Sequence, residues 1–184
     1  MGGRFTGEQA ELHGLVRAAG LAATRLCTPG TEFKDIHWSA ARIIAEGLLE
    51  LGLLRGTVDA LVERRTVSLF FPHGVGHMLG LGVRDAGEVL RGRTVDADDF
   101  PRLRIDLPLL PGHVVTIEPG IYFVRALLHD PALRERHRDA VDWERAERML
   151  GFGGIRIEDD VLVTEHGPEV LTAGVPLLAA GAEG

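Results

Sequence analysis

Two histidines separated by two glycines, His73-Gly74-Val75-Gly76-His77, are the first residues in this chain whose types and spacing could do chemistry. On a helix an i, i+4 histidine pair would face one way and could hold zinc, but Pro72, Gly74 and Gly76 argue against a helix there. Glycines between imidazoles instead allow a tight backbone that brings the rings against a ligand. The pattern fits metal or catalytic use, and it equally fits a structural turn.

Glu118 and Glu158 form the second feature. Each ends a β-branched, apolar run, Val114-Val115-Thr116-Ile117-Glu118 and Gly154-Ile155-Arg156-Ile157-Glu158. A carboxylate at such a place is expected to be partly buried. Buried carboxylates need a cation, a hydrogen-bond network or a proton, because desolvation otherwise costs several kcal/mol. Arg156, on the same strand face as Glu158, is the obvious salt-bridge partner, so pairing and metal ligation both remain open. An imidazole and two carboxylates on separate strands together make an oxygen-rich donor set suited to manganese, cobalt or zinc. Two-metal hydrolases use such sites to make hydroxide at neutral pH and to polarise a carbonyl.

The elements that must position these residues follow from periodicity. Thr6 and Gln9 have capping-box spacing, and Leu12, Leu15, Val16, Ala19, Ala23 and Leu26 then repeat at helical intervals. Thr28-Pro29-Gly30 ends that helix. A second starts near Thr31 with Ile36, Ala40, Ile43, Ile44, Leu48 and Leu51 on one face, closed by Gly52 and Gly56, and a third covers Val58 to Arg64. Val67 to Phe71 reads as a buried strand, Glu88 to Asp106 as a polar loop, and Val114 to Glu118 as a strand ended by Pro119-Gly120. Ile121 to Val124 is extended, and Pro131 to Leu150 is a charged helical insertion. Ile155 to Glu158 and Val161 to Thr164 read as a last pair of strands. Helices first and strands after predict an α+β domain with helices on one face of an antiparallel sheet. The Ala/Gly-rich stretch 173–184 is expected to fray.

Composition excludes several classes. The chain has 184 residues, enough for one domain with a real core, and 45% hydrophobic against 26% charged residues is a folded rather than a disordered balance. A net charge of −7 disfavours nucleic acid as a partner. Arg91, Arg93, Arg102 and Arg104 cluster, but Asp96, Asp98, Asp99 and Asp106 interleave with them, as in a solvated mixed-charge loop. No run reaches the ~18 apolar residues of a membrane span. The start, MGGRFTGEQ, has no apolar signal-peptide core, and its neighbours do not support myristoylation. Cys27 is the single cysteine, so no internal disulfide forms and a cytoplasmic setting is expected.

Three long blocks carry a family resemblance. Phe70 to Leu81 with the histidine pair, Pro111 to Phe123 with Glu118, and Gly151 to Asp160 with Arg156 and Glu158 resemble the signature blocks of the pita-bread metallopeptidases. Within that family the likeness is to prolidase-type Xaa-Pro dipeptidases, over about residues 3–172. It implies a curved antiparallel sheet with helices packed on it, two divalent metal ions (manganese first, cobalt or zinc as alternatives), and hydrolysis of Xaa-Pro bonds in a dipeptide or short peptide. His77, Glu118 and Glu158 would be metal ligands. His73 would line the site and contact substrate or the reacting centre, Arg156 would orient the substrate or the groups behind the ligands, and Glu118 would also accept a proton. Arg104, seven residues before Pro111, falls where similar prolidases hold the dipeptide carboxylate. A guanidinium suits that task through bidentate bonding.

The chain departs from the family pattern in two ways. The family uses five ligands, two of them aspartates upstream of the first helix, and residues 1–10 contain no Asp. The expectation is a partial pita-bread domain over 1–184, incomplete at its N-terminus and of doubtful activity alone. A homodimer or a complementing N-terminal fragment would be its partner. The second departure is Arg84, where relatives usually carry a histidine that stabilises the transition state by hydrogen bonding. Arg84 can supply charge and donors but not acid–base chemistry at neutral pH. Competing readings are an aminopeptidase acting on longer Xaa-Pro peptides, and a metal-free binding module of the same fold.

Overall fold

The protein is described from a computed structural model covering residues 5–85 and 103–176. Helix α1 (Gly7–Arg25) opens on the anticipated capping box, with the Thr6 side chain accepting from the Gln9 amide while the Gln9 side chain accepts from Thr6. Leu12, Val16, Ala19 and Ala23 bury one stripe of α1 against α2 (Phe33–Glu50), which buries Phe33, Ile36, Ala40, Ile44 and Leu48. Gly47 permits a close crossing, since a Cβ there would lie 2.4 Å from both Leu15 methyls. Helix α3 (Val58–Glu63) starts on the Thr57 side chain and matches its expected span.

The expected strand over Val67 to Phe71 is not formed. Thr66–Leu69 is a 3₁₀ turn, entered through Arg65 in the left-handed region at φ 60°. Every residue from Thr66 to Phe71 is buried, so the run has no alternation from which helix and strand could be told apart. Most of the expected loop from Glu88 to Asp106 lies outside the described residues.

Five strands follow: β1 (Val114–Ile117), β2 (Gly120–Tyr122), β3 (Gly154–Arg156), β4 (Asp159–Thr164) and β5 (Gly167–Val170). They form two antiparallel ladders, β1-β4-β5 and β2-β3. The expected last pair is therefore re-paired, with β3 beside β2 and β4 between β1 and β5. Strand β5 was not anticipated, because Gly167-Pro168 reads as a breaker; it closes the sheet edge. Between β2 and β3 the charged insertion folds as α4 (Arg125–Leu128), α5 (Pro131–Arg136) and α6 (Trp143–Arg148). It is tied to the α3 region by Arg64–Asp139, Arg55–Asp142 and a buried Thr66–His137 bond of 3.0 Å. The architecture is α+β.

One detail of register positions the site. Val114 pairs with Leu162 and Ile117 with Asp159 in one ladder, while Gly120 pairs with Arg156 in the other. The two ladders are one continuous antiparallel alignment, interrupted at Glu118-Pro119 on one side and Ile157-Glu158 on the other. Glu118 and Glu158 are thus cross-strand partners at the break. Side chains alternate along each strand, so Thr116, Glu118 and Tyr122 share a face, as do Arg156 and Glu158 opposite. Val115, Ile117, Ile121, Val161 and Val163 point the other way into the core.

Candidate metal centre

The His73–His77 segment is held against β1 by its backbone. The Thr116 amide donates to the His77 carbonyl at 2.9 Å, the Leu79 amide to Val114, and the Glu118 amide to Val75 at 2.6 Å. Gly76 makes this approach feasible: a Cβ there would sit 1.7 Å from the Thr116 carbonyl oxygen. The glycine between the histidines is therefore a requirement of strand contact, which was visible in the sequence only as a tight backbone.

That contact aims the His77 ring. His77 Nδ1 is 2.9 Å from the Met78 carbonyl, an acceptor, so Nδ1 donates to it and Nε2 is the nitrogen turned toward the carboxylates. Nε2 lies 3.4 Å from Glu118 Oε1. The Thr116 hydroxyl accepts from the His77 backbone amide at 3.0 Å and donates to Glu118 Oε1 at 3.3 Å, tying the Glu118 carboxylate to the His77 backbone. His77 and Glu118 are buried, at 5% and 7% exposure, whereas Glu158 opens to solvent. Donor atoms of His77, Glu118 and Glu158 all lie within 4.8 Å of one another. The three side chains singled out in the sequence thus converge.

Arg156 spans the two carboxylates, 3.4 Å from Glu118 Oε2 and 3.5 Å from Glu158 Oε2. Charge-assisted bonds in good geometry run about 2.7–2.9 Å. These longer distances leave the carboxylates under-satisfied by Arg156 alone. Salt bridge and ligation are thus compatible: Arg156 occupies one oxygen of each carboxylate, and the other side of the pair faces His77 Nε2. This donor set of one imidazole nitrogen and carboxylate oxygens fits a divalent transition-metal cation.

His73 belongs to the same face by a different route. Its Nδ1 donates to the Gly74 carbonyl at 2.7 Å, so its Nε2 accepts from the Tyr122 hydroxyl at 2.9 Å. The Arg156 guanidinium lies close to that hydroxyl as well. Burial lowers the His73 pKa, against the raising effects of the Gly74 bond and Glu118, and burial likewise raises Tyr122. Tyr122 was not singled out in the sequence. The available signal was its even spacing from Glu118 along the strand, which places both on one face. Arg84 and Arg104 are exposed, and neither forms an ion pair with a described residue. Of the clustered arginines, Arg91, Arg93 and Arg102 lie outside the described residues.

Comparison with known proteins bears on what such a site does. The sequence pattern described as Metallopeptidase family M24 matches residues 1–165. The Xaa-Pro dipeptidase of Homo sapiens is 39% identical over 171 residues, which cover 92% of this chain and 35% of that protein. A probable Xaa-Pro aminopeptidase of Aspergillus niger is 40% identical over 173 residues, covering 94% and 37%. Among solved structures, Pseudomonas aeruginosa aminopeptidase PepP superposes with a TM-score of 0.70 at 36% identity, covering 95% of this chain and 33% of the other. Escherichia coli aminopeptidase P, zinc-substituted and with product bound, gives 0.67 at 36% identity, with coverage of 95% and 33%. The chain spans about a third of the length of these relatives.

Proposed function

Because this chain belongs to metallopeptidase family M24, we propose that it carries part of a divalent-metal site for hydrolysing Xaa-Pro peptide bonds. The observation that carries the reading is the convergence of His77, Glu118 and Glu158 at the sheet break, aligned by Thr116 and Arg156. His77 would offer Nε2 to the cation, and the two glutamates would offer carboxylate oxygens. Manganese is the favoured ion, with cobalt and zinc as alternatives, since the set mixes one nitrogen with several oxygens. A cation held there supplies Lewis acidity toward a carbonyl and acidifies water at neutral pH.

The remaining roles fall to the protein. Glu118, buried and bonded by the Thr116 hydroxyl with Arg156 3.4 Å from its other oxygen, would also accept a proton. His73 presents a neutral imidazole edge to the same face, where it would contact the substrate once Tyr122 yields its bond. Arg156 orients both carboxylates. Arg84 would lend positive charge from the exposed loop after Leu79, and Arg104 would receive the carboxylate of a Xaa-Pro dipeptide. The lone buried cysteine supports a cytoplasmic setting.

Manganese titration of the metal-free chain by calorimetry tests the site. The expected result is saturable binding that weakens at least tenfold in His77→Ala and in Glu118→Gln. Binding unchanged in both variants would refute the ligand assignment, whether or not the chain turns over substrate. Where Xaa-Pro dipeptide hydrolysis is measurable, Arg104→Ala should lower kcat/KM for dipeptides by ~1.5–3 kcal/mol and spare tripeptides. Equal losses on both would remove Arg104 from dipeptide recognition.

A further inference from the structure

Tyr122 reaches His73 because two facing glycines leave it room. A Cβ built on Gly154 would meet Tyr122 Cδ1 at 2.5 Å and Cγ at 3.1 Å, at the root of the ring. A Cβ on Gly120 would meet Tyr122 Cε2, Oη and Cζ at 2.7–2.8 Å, at its far end. Gly154 is the cross-strand partner of Tyr122, and Gly120 stands two residues before it on the same strand, so both bare Cα atoms lie under one ring. Tyr122 therefore leans back along its own strand, toward the sheet break. Its hydroxyl ends where His73 Nε2 and Arg156 meet it.

The backbone does not demand glycine at either position. Neither residue is among the glycines with positive φ, which are Gly30, Gly52, Gly56, Gly112, Gly153 and Gly167. Alanine would suit the backbone at Gly120, where all three nearest atoms belong to Tyr122. At Gly154 it would also meet the Ile121 carbonyl oxygen at 2.9 Å.

We infer that Gly120 and Gly154 are positioning residues, a cradle that lays Tyr122 on the sheet so that its hydroxyl fixes the direction of His73. With the Nδ1 proton given to the Gly74 carbonyl and Nε2 accepting from Tyr122, the imidazole stays neutral and turned toward the ligand face. A ring displaced by one methyl group loses that bond, and His73 is then held by its own backbone neighbour alone. The role in catalysis rests on the reading of His73 as a site residue; the cradle itself does not.

Tyr122 is the only tyrosine in the chain, so isotope-labelled tyrosine gives a single ring spin system in the NMR spectrum of the full chain. The wild type should show Overhauser contacts from that ring to Gly120, Gly154 and His73, and a His73 ¹⁵N pattern of the Nδ1–H tautomer. Gly120→Ala should lose the ring-to-His73 contact and shift the His73 Nε2 resonance while amide signals far from the site persist. Tyr122→Phe should keep the glycine contacts and the Nδ1–H tautomer but shift the His73 Nε2 resonance. Gly120→Ala should also lower the urea midpoint beside Tyr122 and leave it unmoved in a Tyr122→Ala background. A variant that keeps the His73 contact, or an equal midpoint loss in both backgrounds, would overturn the cradle. If Gly120→Ala alone does not fold, the double variant with Tyr122→Ala should; a double variant that also stays unfolded overturns it too. None of these readouts uses metal or substrate, so the cradle and the peptidase reading fail separately.

Discussion

Replacing His37 by leucine should make the protein less acid-sensitive by an amount that the structure sets. His37 lies in α2 at 1% exposure, its ring 4.6 Å from that of Trp38 and 5.1 Å from that of Phe71, and its Nδ1 has no partner. Burial, followed by the charges of His73 and Arg65, pushes its pKa from 6.5 down to about 3. The unfolded chain takes up this proton near 6.5 while the native state refuses it until about 3. Stability is therefore fully present above the unfolded value and is lost as pH falls below it. At pH 5 the native ring is still neutral, so the loss relative to pH 8 is about 2 kcal/mol, whatever the last unit of the folded pKa. Leucine has a similar volume and removes the orphaned nitrogen, whose desolvation costs about 1–3 kcal/mol. His37→Leu should thus equal or exceed the wild type at pH 8 and gain about 2 kcal/mol more on it by pH 5. His13, His73 and His137 are also lowered, chiefly by burial, but both proteins share them and they cancel in the difference. Urea unfolding at pH 8 and pH 5, with chelator present, measures this. Parallel pH profiles for the two proteins would refute a neutral buried His37.

Two further perturbations probe the insertion and the site. Thr66→Val leaves His137 Nδ1 buried without its 3.0 Å partner and should cost about 1–3 kcal/mol in urea unfolding. Wild-type stability in that variant would mean that the insertion is held by its surface arginines alone. Glu158→Gln relieves a cross-strand pair of glutamates but removes an oxygen of the proposed ligand set. The thermal midpoint of the metal-free chain should stay within about 1 kcal/mol of wild type, while the manganese-induced rise should shrink in a thermal melt. An undiminished rise would free Glu158 from ligation.

What could be read from sequence alone tracked how local the determining physics is. The α1 start was legible because a capping box is closed by residues three apart, Thr6 and Gln9. Val67 to Phe71 misled because burial on every side erases periodicity, and the left-handed Arg65 that turns the chain has no sequence signature. The expected pairing of the last strands failed for a nonlocal reason: their partners, β1 and β2, lie across the whole insertion. The convergence of His77, Glu118 and Glu158 was more legible, since glycines between histidines and carboxylates ending apolar runs are local violations of ordinary strand chemistry. Tyr122 escaped notice because a tyrosine ending an apolar run violates nothing. Its role depends on Gly154, thirty-two positions away in the chain.

The placement of the two glutamates argues for a ligand on physical grounds. Pro119 has no amide proton, so the ladder must lapse at that residue, and the returning bond from the Ile157 amide to the Pro119 carbonyl is long, at 3.4 Å. The lapse is accommodated rather than repaired: a Cβ on Gly20 of α1 would be in ordinary contact with the proline ring at 3.5 Å, so the helix packs closely on the break. Glu118 and Glu158 flank this weakened point in register, where like charges directly opposite are destabilising. A fold under no other demand would place a complementary or apolar pair there. Arg156 offsets part of the repulsion, but from 3.4–3.5 Å and with its own exposure to solvent. His77 Nε2 faces the same side of the carboxylates, 3.4 Å from Glu118 Oε1, and the Met78 carbonyl holds the ring in that orientation, so one cation seated among the three side chains would meet all of them at once.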